Sequence, residues 1–320
     1  MKKNALRILA LTLVMVMSLT AAAFADAKTD DLTIICATNP GGAMDTATRL
    51  LSPYIEGVTG NNATVENIAG SAGWVALAKL ATIRNGDPTV CYIAFPQIIV
   101  AAMDPSNDIG ITIDDYVPIA LDVDDNNIIV TRADNDKYSN AEEFIAYAKE
   151  NDVLIATSAG VYSDDNVAKT YMLQAIPDLK FSTVHFTSTS EGIAAVLGGN
   201  VDVLICNVSE AVANINAGEL KGIAVMAEER SAFVPEVQTL TELGYNVVCG
   251  STRGYVANSS ISEEERQALC EVFAAAMGNE GYVSDASAKN FNLKTMIGDD
   301  FNTWLQDQKA DMEAMYDTLQ

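Results

Sequence analysis

The sequence predicts an α/β protein whose mainly parallel sheets form two lobes. Short apolar runs alternate with helical stretches from residue 32 to residue 225, and such alternation is typical of parallel strands covered by helices. The alternating region is long for a single sheet, so two lobes account for it better. Ligands of open α/β sheets bind beyond the carboxyl ends of the strands. The loops expected at those ends are 38–45, 95–98, 157–165, 186–191 and 206–210.

The elements of the first half follow from hydrophobic spacing. Residues 44–58 place apolar side chains on one helical face, and Pro53 should kink or shorten that helix. Residues 114–133 predict one or two strands broken by acidic residues. The remaining predictions are strands at 32–38, 62–70 and 89–95 and a helix at 71–83.

The second half begins with a capped helix at 140–151. Asn140 has the right chemistry for the N-cap, and Glu143 follows three positions later as in a capping box. From about residue 262 the tail is mostly helical. The elements predicted between are strands at 153–160, 181–186, 201–208 and 220–227 and helices at 163–175, 190–199 and 209–218.

The first 25 residues have the composition of a secretory signal peptide. Lys2, Lys3 and Arg7 precede an apolar stretch at 8–19, and Ala23-Phe24-Ala25 is an A-x-A cleavage pattern. An uncleaved anchor is the alternative, but the apolar stretch is short for a bilayer. We therefore expect export, cleavage and a soluble mature chain in the periplasm or another extracytoplasmic space.

Charge and cysteine content exclude several classes of protein. The formal net charge of −24 argues against nucleic acid and anionic lipid as partners, because both attract basic surfaces. A small anion remains possible where N–H groups converge. The five cysteines form no C-x-x-C pattern, so buried free thiols are expected and no metal or cofactor is predicted.

Asn39-Pro40-Gly41-Gly42 forms a glycine turn between the first strand and the first helix. The turn lacks both the Walker motif and the G-x-G-x-x-G motif, so a nucleotide is not expected. Its backbone N–H groups, with the helix N-terminus, can hold another anion. Asp45 in the first helical turn either stabilises the helix end or contacts a ligand or water.

Other candidate chemistry is weaker. His185, the one histidine of the chain, lies in a predicted strand and is expected to be packed, and no nucleophile motif accompanies it. The segment that starts at Asp122 lacks the glycine and glutamate of a calcium loop, which predicts a solvated turn. Two hydroxyl-rich helix starts, 157–165 and 187–192, could face the glycine turn, although Ser163, Asp164 and Asp165 also fit a simple helix cap.

Five motifs stand in order along the chain. They lie at 40–45 with 49–51, 66–73, 115–120, 196–202 and 215–225. These segments are similar to the patterns P-G-G-x-x-D with R-L-L, E-N-x-x-G-A-G-G, D-F-x-P-V-A, L-L-G-G-x-V-D and I-x-A-G-K-L-R-A-L-A-V. Together, from about residue 31 to the C-terminus, the chain resembles the extracytoplasmic solute receptors of tripartite tricarboxylate transporters, the Bug-type binding proteins.

The resemblance implies a type II periplasmic-binding-protein fold with an interlobe cleft and no catalysis. It implies lobe I from 26–125 with 231–320, lobe II from 126–230, and a carboxylate held on the glycine turn. The site residues implied by position are Gly41, Gly42, Ala43, Met44 and Asp45 in lobe I, Phe95, Pro96 and Gln97 after the third strand, and Ser158, Ala159, Gly160, Ser163, Thr187 and Asn207 in lobe II.

Departures from the family pattern bear on the ligand. Asp164 and Asp165 replace the usual serine and threonine, Phe186-Thr187-Ser188 replaces Tyr-Lys-Gly, and Arg253 stands where an aromatic residue often lies. Two extra carboxylates would repel a tricarboxylate if they faced the cleft. Arg253 could pair with a ligand carboxylate. The ligand expected is a small organic acid or an amino-acid-like compound.

The function that follows is capture of a small carboxylate-bearing metabolite and delivery to integral membrane transporter subunits. Lobe closure would signal the loaded state, and the receptor is expected to act as a monomer. A ligand sensor that feeds a signalling partner is one alternative. An exported α/β enzyme is another, for which the sequence offers no catalytic motif.

Overall fold

The computed structural model describes residues 31–83, 87–104, 110–158 and 162–319. The predicted signal peptide, and Ala159 and Gly160 of the predicted site, lie outside these ranges.

Ten strands and ten α-helices alternate along the described chain. The strands are β1 (Leu32–Cys36), β2 (Ala63–Asn67), β3 (Thr89–Ala94), β4 (Tyr116–Arg132), β5 (Val153–Thr157), β6 (Phe181–His185), β7 (Val203–Asn207), β8 (Leu220–Val225), β9 (Gly250–Asn258) and β10 (Leu293–Ile297). The helices are α1 (Ala43–Thr59), α2 (Trp74–Ala81), α3 (Phe95–Met103), α4 (Ala141–Glu150), α5 (Asp164–Ala175), α6 (Thr189–Leu197), α7 (Val208–Asn216), α8 (Glu263–Met277), α9 (Glu280–Ser287) and α10 (Asp299–Leu319).

The strands form one sheet with two halves that share β4. The first half has the order β2-β1-β3-β9-β4, and β10 also pairs with β4. The second half has the order β6-β5-β7-β4-β8. In each half, the first three strands along the chain thus lie in the order second, first, third. The strand beside them is β9 in the first half and β4, which both halves share, in the second half. This repetition confirms the predicted α/β class.

The pairings are mixed instead of mainly parallel. Strand β1 is parallel to β2 and β3, and β5 is parallel to β6 and β7. Every pairing of the described strands with β4 or β9 is antiparallel. In the first half β9 therefore runs against β1, β2 and β3, and in the second half β4 runs against β5, β6 and β7.

Strand β4 is continuous over 17 residues, so the prediction of strands broken by acidic residues is wrong. Asp122 and Asp125 are each 1% exposed, and the predicted solvated turn is therefore also wrong. Both side chains have buried partners, since Asp122 accepts from Tyr92 Oη at 2.8 Å and Asp125 accepts from Ser209. These partners compensate the burial of charge that would otherwise break a strand.

The hinge is where β4 passes from one half to the other. Asn126 is paired with Gly250 of β9, and the next residue, Asn127, is paired with Asn207 of β7. The backbone N–H of Asn127 donates to Cys249 O at 2.9 Å, which joins the outgoing and returning segments.

The apolar core packs on both faces of the sheet. One cluster joins α2, α3, α5 and α10, a second lies under α1, α8 and α9, and a third lies under α6 and α7. Helix α1 continues through Pro53 to Thr59, so Pro53 does not shorten it. All five cysteines are buried and free, as predicted. Within the described ranges, no helix is both long and apolar enough to cross a membrane.

Gly250 gives a direct test of the hinge. A Cβ at this position would lie 2.5 Å from Asp125 O and 2.6 Å from Asn126 Cα, and backbone atoms cannot move aside cheaply. Gly250→Ala should therefore lose about 1–3 kcal/mol of unfolding free energy, measured by urea denaturation. Gly57→Ala is the control, because its Cβ would meet no atom within 4 Å and the change should stabilise α1 slightly. Equal stability of both variants would contradict the packing at the hinge.

Candidate functional site

The glycine turn is held in shape by the carboxylate of Asp45. That carboxylate is 4% exposed and accepts hydrogen bonds from the Gly41 N–H, Arg49 Nε and Asn67 Nδ2, each at 2.9 Å. Burial would raise the pKa of Asp45, but the hydrogen bonds from Gly41 and Asn67 and the charge of Arg49 hold it below its ordinary value. Asp45 therefore positions the turn and points away from a solute.

The outer side of the same turn is open. Gly41 and Gly42 are exposed, and Gly42 is the N-cap of α1 without a side-chain cap bond. Among the described residues, none accepts the N–H groups of Gly42, Ala43 or Met44. Free N–H groups at a helix N-terminus form a favourable place for an anion.

Asp45→Asn should destabilise the protein by about 1–3 kcal/mol, because an amide NH₂ would then face the Gly41 N–H or Arg49 Nε. Urea denaturation measures the loss. Asp134→Asn is the control, because this carboxylate is exposed and contacts exposed Arg132, and it should change stability little. A wild-type midpoint for Asp45→Asn would show that the carboxylate does not hold the turn.

A buried carboxylate also fixes the loop that precedes helix α5. Ser163 is its N-cap and accepts from the Asn166 N–H at 3.3 Å. Asp165 accepts from the N–H and Oγ of Ser158 at 2.8 and 2.6 Å and from Asn127 Nδ2 at 2.9 Å. Burial, together with the charges of Asp164 and Glu210, raises the pKa of Asp165 well above its ordinary value. The carboxylate of Asp165 thus bonds to the loop that precedes its own helix, as the carboxylate of Asp45 does.

Asp164 faces a different direction. It is half-buried, and its Oδ2 accepts from Asn127 Nδ2 at 3.0 Å and from Asn207 Nδ2 at 2.8 Å. Asn207 Nδ2 also donates to Asp125 O at 2.9 Å. Asp164 therefore lies at the hinge, where the middle of β4 meets the end of β7.

A buried ion pair completes this region. Arg253 Nη2 lies 3.4 Å from Asp125 Oδ2, and the two side chains are 3% and 1% exposed. Arg253 Nε donates to Ser251 Oγ at 3.1 Å, and the Ser209 N–H donates to Asp125 Oδ1 at 3.2 Å. Arg253 Nη1 is buried and has no partner. We call Asp125, Asn127, Asp164, Asp165, Asn207, Ser209 and Arg253 the hinge network.

The pKa values in and around the hinge network are shifted because acidic side chains are buried close to one another. Burial raises the pKa of Asp125 more than Arg253 and Ser209 lower it. Burial acts to lower the pKa of Arg253, but nearby Asp125 and other groups raise it overall. Burial also raises the pKa of Glu210 to about 7. The pKa values of Asp125, Asp165 and Glu210 are thus all raised above their ordinary values beside Arg253.

The residues after β3 are placed differently from the hinge network. Phe95 is fully buried and packs edge-on against Phe301 and Trp304, with ring centroids 5.0 and 5.7 Å apart. Pro96 lines a separate groove, and Gln97 is half-buried in the first turn of α3. This segment therefore supports helix α3, and Phe95 has no surface for a solute.

Two further predicted residues lie at strand ends of the second half. Thr187 is exposed and donates through its N–H and Oγ1 to Glu191 at 3.0 and 2.8 Å, which places it at the start of α6 and outside the hinge network. His185 is exposed, so the prediction that it is packed is wrong. Its Nδ1 lies 2.6 Å from Thr157 Oγ1, and β6 is an edge strand.

A groove of about 410 Å³ lies beside the hinge. Its walls come from β4, β9, α5 and α10. Asp124 and Asn126 line it, and they alternate with Asp125 and Asn127, so the groove and the hinge network lie on opposite faces of β4. Lys294 pairs there with Asp124 at 2.8 Å. The other lining residues are Pro96, Tyr171, Glu228, Asn246, Val248, Cys249, Gly250, Thr252, Trp304, Gln308, Asp311 and Met312.

Sequence reasoning missed the residues that organise both helix starts. Asn67 and Arg49 hold Asp45, while Asp125 and Asn127 hold the second helix start and Arg253. Only residues 121–124 alternate apolar with acidic side chains, so the local pattern gave no signal for Asp125 or Asn127. No group of three or more metal-binding side chains occurs in the ranges that the structure describes.

A sequence model of the tripartite tricarboxylate transporter family receptor, TctC, matches residues 49–320. The chain belongs to this family. The predicted resemblance is therefore confirmed, and the family is one of receptors. The glycine turn at 39–42 precedes the matched region.

Two curated relatives are similar over part of the chain. The UPF0065 protein in the tcbD-tcbE intergenic region of Pseudomonas sp. strain P51 is 26% identical over 63% of this chain. Protein BugT of Bordetella pertussis is 23% identical over 64% of it. The chain spans 60% and 63% of the length of these two relatives.

Solved structures of TctC receptors share the fold. A TctC solute-binding protein from Polaromonas has a TM-score of 0.77 and 23% identity, over 92% of this chain and 98% of that one. MatC from Rhodopseudomonas palustris with bound malate has a TM-score of 0.73 and 19% identity, over 90% and 99%. The periplasmic-binding-protein fold predicted for this TctC-family chain is confirmed.

Proposed function

We propose that this protein is an extracytoplasmic solute receptor that captures a small carboxylate-bearing metabolite without chemically changing it. The observation that carries the proposal is the glycine turn. Its N–H groups at Gly42, Ala43 and Met44 have no acceptor among the described residues, while Asp45 is turned inward. Membership of a receptor family and the malate bound in the related fold of MatC support a carboxylate.

Capture would occur between two lobes. Lobe I comprises 26–125 with the C-terminal segment, and lobe II starts at 126, where β4 changes its pairing partners. We place the return to lobe I near 249 instead of 231, because Val234 and Val237 pack in the cluster under α6 and α7. Closure about this hinge would bring the glycine turn and the start of α5 around the solute.

The finer features of the proposal concern location and partners. The receptor would be exported by a signal peptide cleaved after Ala25 and would act as a monomer. It would deliver its solute to integral membrane subunits of a tripartite tricarboxylate-type transporter. The periplasmic binding protein BugD, which shares the fold, supports this location.

A charge placed at Gly42 tests the anion site without disturbing the fold. Gly42 has φ −77° and ψ 174°, and its Cβ would meet Thr38 Oγ1 at 3.7 Å, so other residues fit. Aspartate at an N-cap accepts from the N2 or N3 N–H, whereas alanine has no acceptor. Gly42→Asp should weaken binding of a carboxylate by at least about tenfold through occupation of the N–H groups and like-charge repulsion, whereas Gly42→Ala should retain most of it.

Thermal-shift screening finds the ligand for that comparison. The panel contains mono-, di- and tricarboxylates, amino acids, and neutral and cationic compounds, and a saturating ligand should raise the melting temperature. Stabilisation only by compounds without a carboxylate would contradict the proposed function. Equal affinities of Gly42→Asp and Gly42→Ala for the acid would remove the glycine turn from the site.

A further inference from the structure

Asp164 lies in the hinge network without a cation to pair with it. The one guanidinium of the network, Arg253, already pairs with Asp125. Among the described residues, Asp164 has no cationic partner within a salt-bridge distance. A half-buried carboxylate without a cation is costly, which indicates that a positive charge is supplied from outside the chain.

Two hydrogen-bond acceptors of the hinge network accept no bond from a described residue. The first is Asp164 Oδ1, since the bonds from Asn127 and Asn207 both go to Oδ2 of that carboxylate. The second is Oδ1 of Asn127, whose side chain is fully buried. The orientation of the Asn127 amide is fixed, because its Nδ2 donates to both Asp164 and Asp165 and the reverse orientation would set three acceptors together.

We propose that the solute carries a protonated amine as well as its carboxylate, and that Asp164 and Asn127 Oδ1 accept hydrogen bonds from that ammonium group. This inference rests on the proposed function, because it names the class of solute for the same site. An ammonium group has three donors and no acceptor, which matches two acceptors and one carboxylate charge.

The same charges disfavour solutes that contain only carboxylates. A second or third carboxylate of the solute would approach Asp164 with no free cation beside it, and like charges brought together cost several kcal/mol. A zwitterionic solute instead brings one charge of each sign. The hinge network therefore selects amino acids over the corresponding acids without the amine.

Matched pairs of ligands test the ammonium group directly. Glutamate is compared with glutarate, alanine with propionate, and 4-aminobutyrate with butyrate, by isothermal titration calorimetry on the mature chain. In the pair that binds best, the amine should improve affinity by at least about tenfold, the value expected for hydrogen bonds to charged groups. Tighter binding of the acid without the amine would overturn the inference.

Asp164→Asn assigns the effect to one carboxylate. The variant keeps an oxygen that can accept from Asn127 and Asn207, so the hinge should stay intact, and urea denaturation checks this. In this variant, the ratio of the affinity for the ligand with the amine to the affinity for the ligand without it should fall by at least about tenfold. Asp311→Asn is the matched control, because Asp311 lines the groove on the other face of β4, and it should keep the wild-type preference.

The outcomes separate this inference from the proposed function. If acids without an amine bind best and their binding is weakened by Gly42→Asp, the receptor function stands and the ammonium site is wrong. An undiminished preference in Asp164→Asn likewise overturns the role of Asp164. Binding of no carboxylate in either series overturns the proposed function, and the inference with it.

Discussion

Arg253→Met should lose about 3–5 kcal/mol of unfolding free energy, the cost typical of removing one member of a buried ion pair. The variant leaves Asp125 in the hinge, 1% exposed and without its cation. Met fills much of the volume of the aliphatic stem, so the loss reports charge more than packing. Urea denaturation near neutral pH measures it.

The double variant Arg253→Met with Asp125→Asn is the control. It removes both charges and keeps an acceptor for Ser209, so it should recover most of the loss. A single variant as stable as the wild type, or a double variant less stable than the single one, would contradict the ion pair.

The unfolding free energy of the protein should be highest at an acidic pH. Burial raises the pKa of Asp122 to about 7, against hydrogen bonds from Tyr92 and Tyr282 and the charge of Arg253 that lower it. The pKa of Glu210 is also raised to about 7. The folded protein therefore holds more protons than the unfolded chain between about pH 4 and pH 7, and its stability must fall as the pH rises through that window.

In stronger acid, the unfolding free energy should instead fall as the pH decreases. The pKa of Asp45 is lowered, so its stabilisation is present above the unfolded value and is lost as the pH falls. The unfolding free energy should thus peak near about pH 4–5. Asp122→Asn should remove a decline on the order of 3–4 kcal/mol between pH 4 and pH 8. An undiminished decline in this variant would show that Asp122 is ionised in the folded protein.

The sequence predicts most elements of the fold because their hydrophobic spacing is regular. Strand β1 and helix α1 are examples, since the buried side chains of α1 lie on the face expected from the sequence. Strand β9 is not predicted, because Gly250–Asn258 contains two glycines and Arg253. Its strand conformation comes from pairing with β3 and β4, which are distant in the chain, and local preference does not contain that information.

The candidate site is only partly readable in sequence for the same reason. The glycine turn and the helix start at Ser163 are local motifs, and their residues can be named from the chain alone. The partners of Asp164 are Asn127 and Asn207, which lie 37 and 43 residues away. Whether an acidic residue caps a helix or faces a solute therefore depends on the register of β4 against β7, which the sequence does not specify.

Calorimetric titration of the best ligand and its methyl ester tests the central claim, recognition of a carboxylate, most directly. Esterification removes the negative charge of that group and changes little else in a small molecule. The ester should bind at least about tenfold more weakly, since hydrogen bonds to a charged group are lost or weakened. An ester of equal affinity would contradict the carboxylate site and the receptor function built on it.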